Sequence, residues 1–138
     1  MSDERPMPDR RDCVTSRVKI GACKLYITIG FYDPERTQIG ELFIVLEKTG
    51  AERRWMMDEI ARLASKLLQR GHPLEQMAEM WLGTKAELCG PVQGDDRIKN
   101  CTSVLDYVGR HLLVYYCGRE DLAHVKPIEK LEGALTNE

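Results

Sequence analysis

The sequence predicts an α+β fold: a three-stranded antiparallel sheet followed by three helices packed on it. Three observations carry this. Residues 14–48 contain three runs with strand character, joined by short turns. Residues 53–118 then contain three runs whose apolar residues recur every three or four positions, the period of a helix face. Most glycines and prolines fall between the runs, with Gly30 and Gly109 as the glycines inside them.

The first strand is read over residues 14–20. Val14, Ser16, Val18 and Ile20 share one side, while Thr15, Arg17 and Lys19 share the other. Residues 21–24 turn the chain into a second strand, with Leu25, Ile27, Ile29 and Phe31 on its apolar side. Asp33 and Pro34 open the next turn by their backbone preferences. The third strand, ELFIVLEK over residues 41–48, is apolar on both faces, which predicts a central or doubly covered strand.

The first helix is expected over residues 53–70, with Met56, Ile60, Leu63 and Leu67 as its buried stripe and Gly71 as its stop. Pro73 is placed at the first position of the second helix, next to a capping His72. Leu74, Met77 and Trp81 form its buried side and Gly83 its end. The third helix is expected over residues 95–118, with Ile98, Cys101, Leu105, Val108, Leu112 and Tyr115 in one stripe. Asp95 and Asp96 stand where an N-cap belongs, and Gly118 fits a left-handed stop.

These elements make one domain over residues 13–118. A polar tail over 1–12, disordered or loosely attached, precedes it, and a polar tail over 119–138 follows, with a turn of helix expected near 128–135. Hydrophobic residues are 43% and charged residues 30% of 138, enough for a single core. The net charge of -2, from 20 basic and 22 acidic residues, provides no global attraction to nucleic acid or to a membrane. A local basic patch stays open. The five cysteines form no Cys-x-x-Cys pair and no zinc-ligand spacing, so a reduced, cytoplasmic chain without metal or cofactor is expected. The charged start lacks the apolar core of a secretory leader, and no apolar run reaches a membrane span.

The chemistry the residues suggest is phosphate binding. Gly90 and Gly94 lie in a loop leading to the expected start of the third helix, where free N–H groups and the helix dipole favour an anion. Arg97 and Lys99 add positive charge and Thr102 a hydroxyl, while Asp95 and Asp96 oppose an anion there. The spacing matches neither common nucleotide-loop pattern, and a capped helix after a loop is the plainer reading. Arg53 and Arg54, at the start of the first helix, are a second place for a phosphate or an acidic partner. Cys89, exposed in its loop, and Asp106 are the candidates for an enzyme. No nucleophile, base and orienting group can be named around them, so no catalytic residue is assigned.

Several blocks occur in a fixed order: LYITIGFY over 25–32, GELFI over 40–44, KTG over 48–50, LQRG over 68–71, PLE over 73–75, and CTSVLDYV over 101–108 followed by Arg110. In these the chain resembles the TSCPD-type domain at the C-terminal end of adenosylcobalamin-dependent (class II) ribonucleotide reductases, over roughly residues 15–116. A literal Thr-Ser-Cys-Pro-Asp string is absent; Thr102 and Ser103 follow Cys101 instead. The resemblance implies a non-catalytic accessory domain, because the family's catalytic barrel is several times longer than this chain. Such a domain would bind a nucleotide, a nucleic acid or a reductase subunit. The alternatives are a homo-oligomeric assembly module or a viral-type protein that sequesters a nucleotide.

Overall fold

A computed structural model of the chain describes residues 3–126. The α+β class holds, but the sheet has five strands: β1 (Cys13–Ile20), β2 (Cys23–Phe31), β3 (Ile39–Glu47), β4 (Gly90–Gln93) and β5 (Asn100–Cys101). Their order is β3-β2-β1-β4-β5, every pairing antiparallel. The helices are α1 (Ala51–Gln69), α2 (Leu74–Glu79) and α3 (Val104–Tyr116), and a single 3-10 turn covers Glu120–Leu122. Two helices therefore precede the last two strands instead of following a finished sheet.

The alternation read in the first two strands sets the faces of the sheet. Val18, Ile20, Leu25, Ile27, Ile29, Leu42, Ile44 and Leu46 are buried on one side. They join Met77, Ala78, Tyr107, Val108, Leu112 and Leu113 of the helices in one core. Each buried Val, Leu, Ile or Met side chain contributes about 1.5–3 kcal/mol by leaving water. The opposite side, with Thr15, Arg17, Lys19, Phe43 and Val45, stays exposed.

The third strand is not central. It is an edge, and α1 lies alongside it. The Ser65 hydroxyl accepts from Leu42 N at 2.9 Å and donates to Leu42 O at 3.1 Å, while Gln69 Nε2 donates to Gly40 O at 3.1 Å. Side chains of the helix thus occupy backbone groups that an edge strand would otherwise offer to another chain. Close approach selects small residues: the buried face of α1 is Ala61, Ala64 and Leu68. The expected stripe is turned outward, with Met56 and Leu63 exposed and Ile60 and Leu67 half-buried.

The second helix is shorter than expected. Pro73 is its N-cap, not its first residue, and no side chain caps it, His72 included. Met77 and Ala78 are its buried positions. It meets α3 at Gly109, where a Cβ would stand 2.7 Å from Ala78 O and 3.2 Å from Trp81 Cβ. Only a glycine lets these two backbones come so close.

The third helix begins nine residues later than predicted, at Val104 after the N-cap Ser103. Asp95 and Asp96 cap no helix, and residues 95–99 run irregularly between β4 and β5. The predicted stop holds: Gly118 has φ +69, and Arg119 N donates to Leu113 O at 3.0 Å, closing the helix end. Residues 3–12 form no helix or strand but are tied to the domain. Arg5 N donates to Gln69 O at 2.7 Å, and Arg11 pairs with Glu41 at 2.6 Å. The helical turn expected near 128–135 lies outside the described residues.

Candidate functional site

The polar chemistry of the domain gathers between β4 and α3. Gly94, at φ +99, turns the chain out of β4. Asp95 then folds its carboxylate back: Oδ1 accepts from Arg97 N at 2.8 Å and Ile98 N at 2.9 Å. Those are the donors an N-cap would serve, closed here into a turn. The same oxygen accepts from the Tyr115 hydroxyl at 2.7 Å, and Oδ2 accepts from the Tyr107 hydroxyl at 2.7 Å. Burial by itself would raise the Asp95 carboxyl, but these four hydrogen bonds outweigh it and hold the group below its usual range. The two phenols are displaced upward, first by burial and then by bonding to the carboxylate.

His111 completes the cluster, its Nδ1 3.3 Å from the Tyr107 hydroxyl. The one phenolic hydrogen goes to Asp95, so Nδ1 carries the hydrogen of this contact. Burial at 4% exposure pushes the imidazole down to about 4, and at neutral pH it is uncharged. Its Nε2 has no hydrogen bond among the described residues, and the ring lines a cleft of about 250 Å³ with Ser16, Arg17, Asp96 and Tyr116. A second cleft, of about 280 Å³, adjoins it across Arg17, Val18 and Gly94 and is bordered by Lys19, Lys24 and Gln93.

The CTSVLD segment is spent on architecture. Ser103 Oγ accepts from Asp106 N at 2.8 Å. The Asp106 carboxylate, 1% exposed, accepts from Gly83 N at 2.8 Å and Thr102 N at 3.1 Å, a near-reciprocal capping box. Arg110 lies 3.6 Å from the same carboxylate. Cys101 is buried, and burial pushes its thiol up to about 11, which keeps it protonated.

The seven residues proposed for phosphate do not form one site at a helix start. Gly90 pairs with Cys101 across β4 and β5, and Gly94 packs on the Arg17 carbonyl. Arg97 is paired with Glu120, and Lys99 Nζ donates to Asp95 O at 2.6 Å. Thr102 Oγ1 donates to Thr84 O at 2.8 Å. Arg53 donates to Thr49 Oγ1 at 2.9 Å and faces Glu87 at 3.9 Å. The Arg54 side chain is exposed and has no partner among the described residues. So Gly94, Arg97 and Lys99 meet around Asp95, while Arg53 and Arg54 stand on another element.

The sequence reading missed the aspartate–tyrosine–histidine cluster and the Ser103 cap. Signals for both were present. Tyr107, His111 and Tyr115 repeat every four residues on one helix face, and Ser103-x-x-Asp106 is a capping-box pattern. Of the basic residues beside the clefts, Arg17 and Lys19 were legible as the polar side of their strand, while Lys24 was read as part of a turn.

Comparison with known proteins decides the family. The family model described as the TSCPD domain matches residues 3–116, nearly all of the described chain. The chain belongs to the TSCPD domain family. This TSCPD domain is 44% identical over 135 residues to a vitamin B12-dependent ribonucleotide reductase of Bradyrhizobium diazoefficiens, covering 98% of this chain and 11% of that protein. It is 46% identical over 123 residues to the reductase of the same name from Agrobacterium fabrum, covering 89% and 10%. A third, from Rhodopirellula baltica, is 30% identical over 115 residues, covering 83% and 11%. The TSCPD chain therefore spans about a tenth of the length of the curated relatives it matches, and it corresponds to their C-terminal region. No solved structure matches it. No helix among the described residues is long and apolar enough to cross a membrane.

Proposed function

We propose that this TSCPD domain is a non-catalytic accessory module of a B12-dependent ribonucleotide reductase, docked on the reductase through α1. The carrying observation is the outward stripe of that helix. Met56 is 46% exposed, Leu63 66% and the neighbouring Trp55 61%. Tryptophan, methionine and leucine exposed together on one helix resemble the apolar centre of an interface more than a solvated surface. In the relatives, the rest of a long reductase polypeptide is attached to this region and is available to cover it. Arg54, beside Trp55 and without a partner among the described residues, would meet an acidic group at the rim.

The inner chemistry supports a structural role. Asp95 and Asp106 have their oxygens committed to backbone and phenol donors, and Cys101 is kept as a thiol. Of the phosphate set, Arg53, Arg97, Lys99 and Thr102 are bonded within the domain. A nucleotide at those residues would have to displace these bonds.

The test is direct mixing. The purified domain is titrated into the Agrobacterium fabrum reductase from which the matching region has been deleted, with mass followed by light scattering. A one-to-one complex that Leu63→Glu abolishes is the expected result. If the domain instead pairs with itself, and Leu63→Glu makes it monomeric, the stripe belongs to a homo-oligomer and the accessory reading falls.

A further inference from the structure

We propose that the uncovered face of the sheet is a platform for single-stranded nucleic acid. The helices bury the inner face, so strand alternation leaves the outer positions of β1, β2 and β3 to solvent. The register arranges them in rows. Glu47, Lys24, Lys19 and Gln93 form one row, Val45, Tyr26 and Arg17 the next, and Phe43, Thr28 and Thr15 a third. Arg11 and Glu41, bonded to each other at 2.6 Å, close the face beyond the third row.

Two kinds of group meet on this surface. Tyr26 and Phe43 are diagonal neighbours on adjacent strands, on the order of 7–8 Å apart; Phe43 is exposed, and the Tyr26 ring is half-buried beside it. A ring on an open sheet stacks a nucleobase whatever its identity, because every base has a π-face. Arg17, Lys19 and Lys24 stand beside them, and none is in an ion pair among the described residues. The three also line the cleft of about 280 Å³ next to β4. Against them the open rows hold one acid, Glu47. A chain of net charge -2 thus carries a local positive patch next to one exposed ring, Phe43, and one half-buried ring, Tyr26.

Charge complementarity calls for a phosphate-bearing partner, and the layout favours a strand over a free nucleotide. The rows from Phe43 to Lys24 extend about 13 Å along the strands, more than one base and its phosphate need. Two bases on Tyr26 and Phe43, with the backbone crossing toward Arg17, Lys19 and Lys24, use every group named. A duplex would leave the rings without a base face to stack on. Phe43 and Val45 share a groove with Asp58, Arg62 and Lys66 of α1, but none of Trp55, Met56 and Leu63 lines it, so the platform does not depend on the reductase contact.

The test is fluorescence anisotropy of a fluorescein-labelled 12-nucleotide oligothymidylate titrated with the full chain. Saturable binding at 50 mM salt is expected, weakening roughly 20-fold by 200 mM if three phosphates are neutralised on a single strand. Tyr26→Ala and Phe43→Ala should each weaken binding at least about fivefold, the low end of base stacking. The Arg17→Gln, Lys24→Gln double variant should flatten the salt dependence. Were a ring variant to lose its circular dichroism signal, Tyr26→Leu and Phe43→Leu would replace it. Any of three results overturns the proposal: no saturable binding at 50 mM salt, affinity indifferent to both rings in folded variants, or displacement of the oligonucleotide by an equal nucleotide concentration of thymidine triphosphate.

Discussion

Tyr107 donates a 2.7 Å hydrogen bond to Asp95, joining a phenol at 0% exposure to a carboxylate at 6%. The bond links the irregular segment after β4 to the first turn of α3, across twelve residues of chain. Tyr107→Phe removes the donor and leaves a carboxylate oxygen buried without it. A hydrogen bond to a charged group contributes about 1.5–3 kcal/mol. Urea denaturation should show a loss of that size, with a smaller loss for Tyr115→Phe, whose side chain is partly exposed.

The Asp95 turn also explains what the sequence hid. Asp95 offers its carboxylate to N–H groups two and three residues on, as an N-cap does, and Ile98 and Cys101 continue the helical spacing backward from α3. Both signals fit a helix start, yet no helix follows. Tertiary bonds from Tyr107 and Tyr115 hold the turn instead, and no local pattern reports them. β4 and β5 escaped because four and two residues, one of them Pro91, carry too little alternation to read. The first two strands and α1 were legible because eight or more residues repeat a period, and the third because it is a continuous apolar run. The face that α1 buries was not, because close packing on β3 selected Ala61 and Ala64 over the larger stripe.

Acid should loosen the fold through His111 before it reaches the carboxylates. The imidazole sits near 4 when folded, below its ordinary 6.5, because burial disfavours the cation. Between those values the unfolded chain binds the extra proton, so stability falls as pH drops from about 6.5 to 4. The shift corresponds to about 3 kcal/mol. Asp95 has the opposite chemistry. Its lowered carboxyl stabilises the fold above the unfolded value, and that part is lost only as pH falls through its folded value. Denaturation midpoints measured from pH 7 to 4 should decline, and in His111→Phe the decline should be much shallower.

Ser103 and Asp106 should differ in cost although they share one cap. Ser103→Ala removes the cap bond and the 2.7 Å bond to Thr84 Oγ1, both made by one hydroxyl, and should destabilise by about 1–2 kcal/mol. Asp106→Ala strands Gly83 N and Thr102 N and leaves Arg110 without its carboxylate, and about 3 kcal/mol or more is expected. Equal midpoints for the two variants would contradict the assignment of Asp106 as the hub.

Gly109 marks the closest approach of α2 and α3. Gly109→Ala places a methyl 2.7 Å from Ala78 O, a backbone atom that cannot swing aside. Overpacking of this kind costs about 1–3 kcal/mol, even though alanine favours helix. A thermal melt of the variant should therefore shift downward.

The exposed face of α1, with Trp55, Met56 and Leu63, is the one proposed to meet a reductase. Hydrogen exchange of the domain alone and mixed with the trimmed Agrobacterium fabrum reductase tests this directly. The amides of Ala51–Gln69 should exchange more slowly in the mixture, with the outer strands little changed. Protection confined to other elements, or none at all, would contradict it.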